Sequence, residues 1–190
     1  MGNLLPKEEF QMAAVIGLDS SKIEEICKKI NDSGKFLVPA NYNCSVQTAI
    51  SGTEEAVNEA TQLLKDAGAK RVIPLKTSGP FHTIKLEDAK KAYEKELEKI
   101  EFHPGKCKVI KNLDGTFYNE NDDIKNILAN HIINPVRFDK AIKLMQNEGV
   151  EEYVEVGPGK VLTGFIKKEN REAITYNINS LETLEDYLNN

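Results

Sequence analysis

Histidine titrates closest to neutrality of all side chains, and this chain offers three to weigh as general bases: His82, His103 and His131. His103 sits beside Pro104-Gly105 in a polar break, the setting of a surface residue. His131 stands near the end of a predicted helix, where an imidazole interacts with the helix dipole. His82 follows a predicted strand and the Gly79-Pro80 turn, and it precedes a helix. Loops built on rigid elements commonly hold catalytic groups, so local context leaves His82 open between a base at a cleft and a structural residue.

A base needs something to activate. The expected partner is a serine on a strand-to-helix elbow, in a G-x-S-x-G context. None of the seven serines meets that test, their settings being LDSSK, NDSGK, NCSVQ, AISGT, KTSGP and INSLE. Cys27, Cys44 and Cys107 are odd in number and lack metal-ligand spacing, which suits packed or unpaired thiols and no metal site. Gly157-Pro158-Gly159-Lys160 follows a strand and opens a helix, as a phosphate cradle would. It lacks the spacing and the Ser/Thr of a Walker loop, so a structural strand–helix turn is the expected reading.

The chain has 190 residues, 40% hydrophobic and 29% charged, with net charge −5. That composition describes a globular protein and disfavours nucleic acid as a partner. No apolar run is long enough to span a bilayer and no secretory leader is visible, so no membrane role and a cytoplasmic location are expected.

The elements that must position His82 read cleanly in the first part. Residues 12–18 are strand-like, and Asp19-Ser20-Ser21 supply a helix cap. Ile23, Ile26, Cys27 and Ile30 then follow at helical spacing. Strands are predicted at 36–42, 47–51 and 71–76, with a helix between the last two, giving β-α-β-β-α-β. That order is ferredoxin-like. Beyond it the sequence predicts at most three strands, including KCKVI at 106–110, and five helices, one restarted by Asn134-Pro135. The three strands are apolar enough to require burial on both faces, so this part is expected to be an incomplete α/β layer with exposed apolar surface. The boundaries are a lead-in at 1–9, a small ferredoxin-like subdomain at 10–77 and a partial large subdomain at 78–190.

Several motifs occur together and in order: MAAVIGLD, VPANYNC, AISG with EEAV, AGAKRVIPLKTSGPFH, NPVRF and EVGPGKVLTGFIK. As a set they resemble the bacterial malonyl-CoA:acyl carrier protein transacylases of fatty-acid synthesis and the related acyltransferase domains of polyketide synthases. The resemblance implies an α/β fold, in which a ferredoxin-like small subdomain is inserted into an α/β-hydrolase-like large one. It also implies that this chain is the C-terminal portion, without the family's G-H-S-L-G nucleophile segment and its carboxylate-binding arginine, and inactive alone. A separately encoded N-terminal segment is then a further expected partner.

The same resemblance carries site residues. GPFH is similar to the family's histidine motif, which makes His82 the base that takes the serine proton and later protonates the CoA thiolate. Phe81 stands where a phenylalanine is associated with malonyl over bulkier acyl units. His131 stands where the family usually has a glutamine that helps hold the histidine, so its imidazole is expected to make one hydrogen bond whose sense depends on the tautomer. Asn43 and Gln47 match polar positions lining the cleft, with Ser45-Val46 replacing the usual Pro-Gly between them. The implied substrates are malonyl-CoA and phosphopantetheinylated acyl carrier protein, with no cofactor. The alternatives are a non-catalytic module that binds carrier protein or CoA, or a gene remnant. An RNA-binding domain shares the topology, but stacking aromatics and the RNP1 pattern are missing.

Overall fold

The computed structural model describes residues 9–77, 79–103 and 105–189. The lead-in at 1–9 lies, Glu9 apart, outside the described residues. The chain forms two compact units, one up to Ala141 and one from Ile142.

The first unit is built on a sheet. Strand β1 (Phe10–Ile16) leads into helix α1 (Ser20–Asp32), followed by β2 (Leu37–Cys44), β3 (Gln47–Thr53), helix α2 (Glu54–Asp66) and β4 (Arg71–Leu75). The Asp19 carboxylate caps α1 by accepting from the Ser21 N–H at 2.8 Å, and Thr53 caps α2 through the Ala56 N–H. The sheet order is β4-β1-β3-β2-β5, with β1 to β4 antiparallel. One sheet face (Ala13, Val15, Leu37, Ile50) packs on the buried stripes of the helices, Ile23, Cys27 and Ile30 from α1 and Val57, Ala60 and Leu64 from α2. The other face holds Met12, Ala40 and Ala49, against which Leu75 and Phe81 pack.

After β4 a short 3-10 turn (Ile84–Leu86) opens α3 (Glu87–Glu98), and α4 (Ile124–His131) follows a long connection. The strand expected at 106–110 does not form. A bridge between Ile110 and Phe117 and a bond from the Tyr118 N–H to the Val109 carbonyl are made there instead. A strand needs a continuous ladder beside it, and here the pairing stops at a single bridge while Val109 is left exposed. Asn134-Pro135 does not restart the chain directly into a helix either. Val136–Arg137 (β5) first joins β2 in parallel, and helix α5 (Phe138–Asn147) comes after it.

The connection is clamped by Lys111. Its buried ammonium donates to Asp122 at 3.0 Å and lies 3.6 Å from Asp114. The bond to Asp122 raises the lysine pKa, and the same bond lowers that of Asp122. Burial pushes Asp114 up, but the Thr116 N–H and hydroxyl, with Lys111, bring it below the ordinary carboxylate value. Depressed carboxylates stabilise above their unfolded pKa near ~4 and lose that contribution as pH falls through the folded value; the raised lysine contributes below ~10 and loses it at higher pH. Lys111→Met is therefore expected to lower the melting temperature by several degrees at pH 7 and by much less at pH 3, as read by circular dichroism.

The second unit pairs β6 (Glu152–Val156) with β7 (Ile174–Ile178) in parallel, with α6 (Val161–Glu169) between them and α7 (Leu181–Leu188) after. Parallel strands are ordinarily covered on both faces, yet Val154, Val156 and Ile174 are exposed, as are Val161, Leu162, Leu181 and Leu188. We expect the 190-residue chain to bind an apolar fluorescent dye and to self-associate, both reduced severalfold by Val156→Lys with Leu181→Lys. A dye-silent monomer would overturn this.

Candidate functional site

His82 is held in a turn that the sequence barely advertises. Downstream of β4, the Phe81 N–H bonds the Gly79 carbonyl at 3.0 Å, and the buried Thr83 hydroxyl donates to the Pro80 carbonyl at 2.8 Å. Thr83 also caps the 3-10 turn through the Lys85 N–H. It was missed from the sequence, where a threonine opening a helical stretch was its only signal. Between these anchors His82 adopts φ +59°, the one non-glycine residue with positive φ among the described residues. That conformation costs about 1–2 kcal/mol for an L-residue, so the surrounding bonds impose it.

The turn brings His82 to the end of α4. Its Nδ1 lies 3.0 Å from the backbone carbonyl oxygen of His131, the last residue of that helix. A carbonyl can only accept, so Nδ1 carries the proton and the neutral ring presents Nε2 as its lone pair. The carbonyl is one of those a helix C-terminus leaves without an internal partner, and the dipole there favours a cation. The support expected from the side chain at position 131 thus comes from its backbone. A carbonyl is present whatever residue stands there, so histidine in place of glutamine leaves the acceptor intact.

The two imidazoles also touch, with ring centroids 4.9 Å apart and planes 35° from parallel. Burial lowers the His131 pKa, and the charge of His82 lowers it further. His131 Nε2 is buried and has no hydrogen-bond partner among the described residues. Beside His131 a cleft of about 1010 Å³ opens between α4 (Ile124, Ile127, Leu128) and the preceding connection (Val109, Tyr118).

Other sequence candidates fall elsewhere. Phe81 packs on the sheet face of Met12, Ala40 and Ala49. Gln47, two residues before Ala49 on β3, belongs to that same face, while Asn43 is the extra residue of a bulge between Tyr42 and Cys44. His103 is exposed, 4.0 Å from Glu101. Burial pushes the Cys27 thiol up to about 12, helped by Glu24, which leaves it inert as a nucleophile. Among the described residues no cluster of His, Cys, Asp or Glu could hold a metal ion.

The Gly157–Lys160 turn is closed to phosphate. The Glu155 carboxylate already accepts from the Leu162 and Thr163 N–H groups at 3.1 and 2.9 Å, and from Asn177 at 3.1 Å. Burial pushes Glu155 up, but these donors outweigh it and hold the carboxyl below its ordinary range. No described helix is long and apolar enough to cross a membrane.

Known proteins share this fold. The chain is 37% identical to the malonyl CoA-acyl carrier protein transacylase of Bacillus subtilis strain 168 over 185 residues, 97% of this chain and 58% of that protein. It superposes on the crystal structure of MCAT from Streptococcus pneumoniae with a TM-score of 0.91 and 38% identity, covering all of this chain and 61% of that one. A complex of a type II PKS acyl-carrier protein with its malonyl-transacylase matches at TM-score 0.90 and 31% identity, over 99% of this chain and 61% of that one. No family model matches. The mixed α/β fold is shared with these proteins. Along nearly its whole length the chain is similar to malonyl CoA-acyl carrier protein transacylases. It spans a little under three fifths of the length of that Bacillus relative, 58%.

Proposed function

We propose that the chain carries the general base of a malonyl transfer from CoA to the phosphopantetheine thiol of an acyl carrier protein. The supporting observation is the strained His82 turn, whose Nδ1–H is engaged by the α4 carbonyl and whose Nε2 is left to act. In this reading Nε2 takes the proton of a serine hydroxyl as its oxygen attacks the malonyl thioester, and returns it to the departing CoA thiolate. A second pass delivers malonyl to the carrier thiol. The imidazolium formed in each pass is stabilised by the helix end. The serine lies outside these 190 residues, since no serine here has an elbow context.

The reading extends to the surroundings. The β-α-β-β-α-β segment, with β1 to β4 in the order β4-β1-β3-β2, serves as a ferredoxin-like small subdomain over residues 10–77. Residues 78–190 serve as part of an α/β-hydrolase-like large subdomain. Phe81 narrows the acyl pocket, and Asn43 and Gln47 offer polar groups to the substrate from the small subdomain. The reaction draws on no cofactor and runs in the cytoplasm.

The test is reconstitution. The chain alone is expected to give no measurable malonyl transfer, because loss of the nucleophile from a comparable Ser–His system removes about a million-fold of turnover. Mixed with a segment bearing G-H-S-L-G from one of the relatives, it is expected to transfer radiolabelled malonyl to carrier protein. Turnover by the chain alone would refute the mechanism.

A further inference from the structure

We infer that His131 is a positioning residue whose imidazole works only as the neutral ring, lying against His82. The geometry carries this. Two imidazoles with centroids 4.9 Å apart cannot both be cations without strong repulsion, whereas a neutral ring beside an imidazolium is attracted to it. The His131 Nε2 is buried without a partner among the described residues, so protonating the ring would leave an unmet charge-bearing donor inside the protein. Among the described residues, His82 is the titratable group whose charge acts on His131. The direction of the His131 shift, downward from burial first and His82 second, agrees with the geometry. The ring therefore adds what the backbone carbonyl cannot, an uncharged face that fixes the plane of His82.

In giving His82 a proton to take, the inference rests on the proposed base role; the ordering of the two rings does not. The experiment separates them. Deuterium exchange at imidazole C2, read residue by residue by mass spectrometry, gives the protonation midpoint of His131 in the full chain at low concentration. The midpoint is expected below the ordinary histidine value of ~6.5. It is expected to move up in His82→Asn, whose side chain tolerates positive φ. A His131 midpoint at or above the ordinary value, or one unmoved by His82→Asn, overturns the inference.

A second readout uses the reconstituted enzyme. His131→Phe, which keeps a neutral ring, is expected to retain at least about tenfold more transfer than His131→Lys, which fixes a charge beside His82. Equal transfer by the two variants overturns the positioning role. If His82→Asn leaves transfer intact, the base reading fails while the exchange result on His131 still stands or falls by itself.

Discussion

His82→Ala, in the chain completed by a nucleophile-bearing segment, is expected to lower malonyl transfer by about 10⁴- to 10⁶-fold. The size follows from the division of labour. Without a base the serine hydroxyl is a poor nucleophile, and without an acid the CoA thiolate leaves unprotonated; one imidazole supplies both. Alanine also removes the Nδ1–H bond to the α4 carbonyl, so a control must separate chemistry from folding. His82→Asn is that control, because asparagine accepts the +59° backbone angle while offering no base. Both variants are expected to be inactive with unchanged circular dichroism. Transfer within tenfold of wild type by either would remove His82 from the chemistry.

Gly52→Ala is expected to destabilise the first unit by about 3 kcal/mol. A Cβ built at Gly52 falls 2.3 Å from the Phe36 carbonyl oxygen and 2.8 Å from Leu37 Cδ1. Gly52 faces Leu37 across the β2–β3 pair and Gln11 across β1, so neither neighbouring strand can withdraw without breaking its register. The cause is close approach of two backbones. Gly34→Ala provides the comparison, since Gly34 has φ +89° and nothing within 4 Å of a built Cβ. Its cost is conformational, about 1–2 kcal/mol. Urea unfolding of both variants should rank Gly52→Ala as the more damaging, and the reverse ranking would refute the steric account.

These two residues show what sequence could and could not convey. AISG and GPFH were legible as motifs, yet the reason for glycine at 52 is the carbonyl of Phe36, just ahead of another strand. Likewise His82 was open between two roles on local context, because its partner is a backbone oxygen 49 positions away and backbone atoms leave no compositional trace. The β-α-β-β-α-β part was legible because each element shows its own period, with Ile23, Cys27 and Ile30 on one helix face and Ala13 and Val15 on one strand face. Lys106-Cys107-Lys108-Val109-Ile110 had the composition of a strand but makes a single bridge, since pairing depends on a continuous ladder and not on local pattern. Val136–Arg137 went unrecognised for the opposite reason: two residues are too few for any period to register. At 131 the sequence drew attention to the side chain, while the bond to His82 is made by the main chain.

That bond ties the fate of a short helix to the timing of heat inactivation. Helix α4 has eight residues, and its start is secured by Asp123, whose carboxylate accepts from the Asn126 N–H at 3.1 Å. Short helices open from their ends well before a protein melts as a whole. Under the proposed mechanism, each fraying event at His131 would release His82 to rotate. A warmed sample would then fall silent in an assay while its spectrum still looked native, and weakening Asp123 would bring that silence on at a lower temperature.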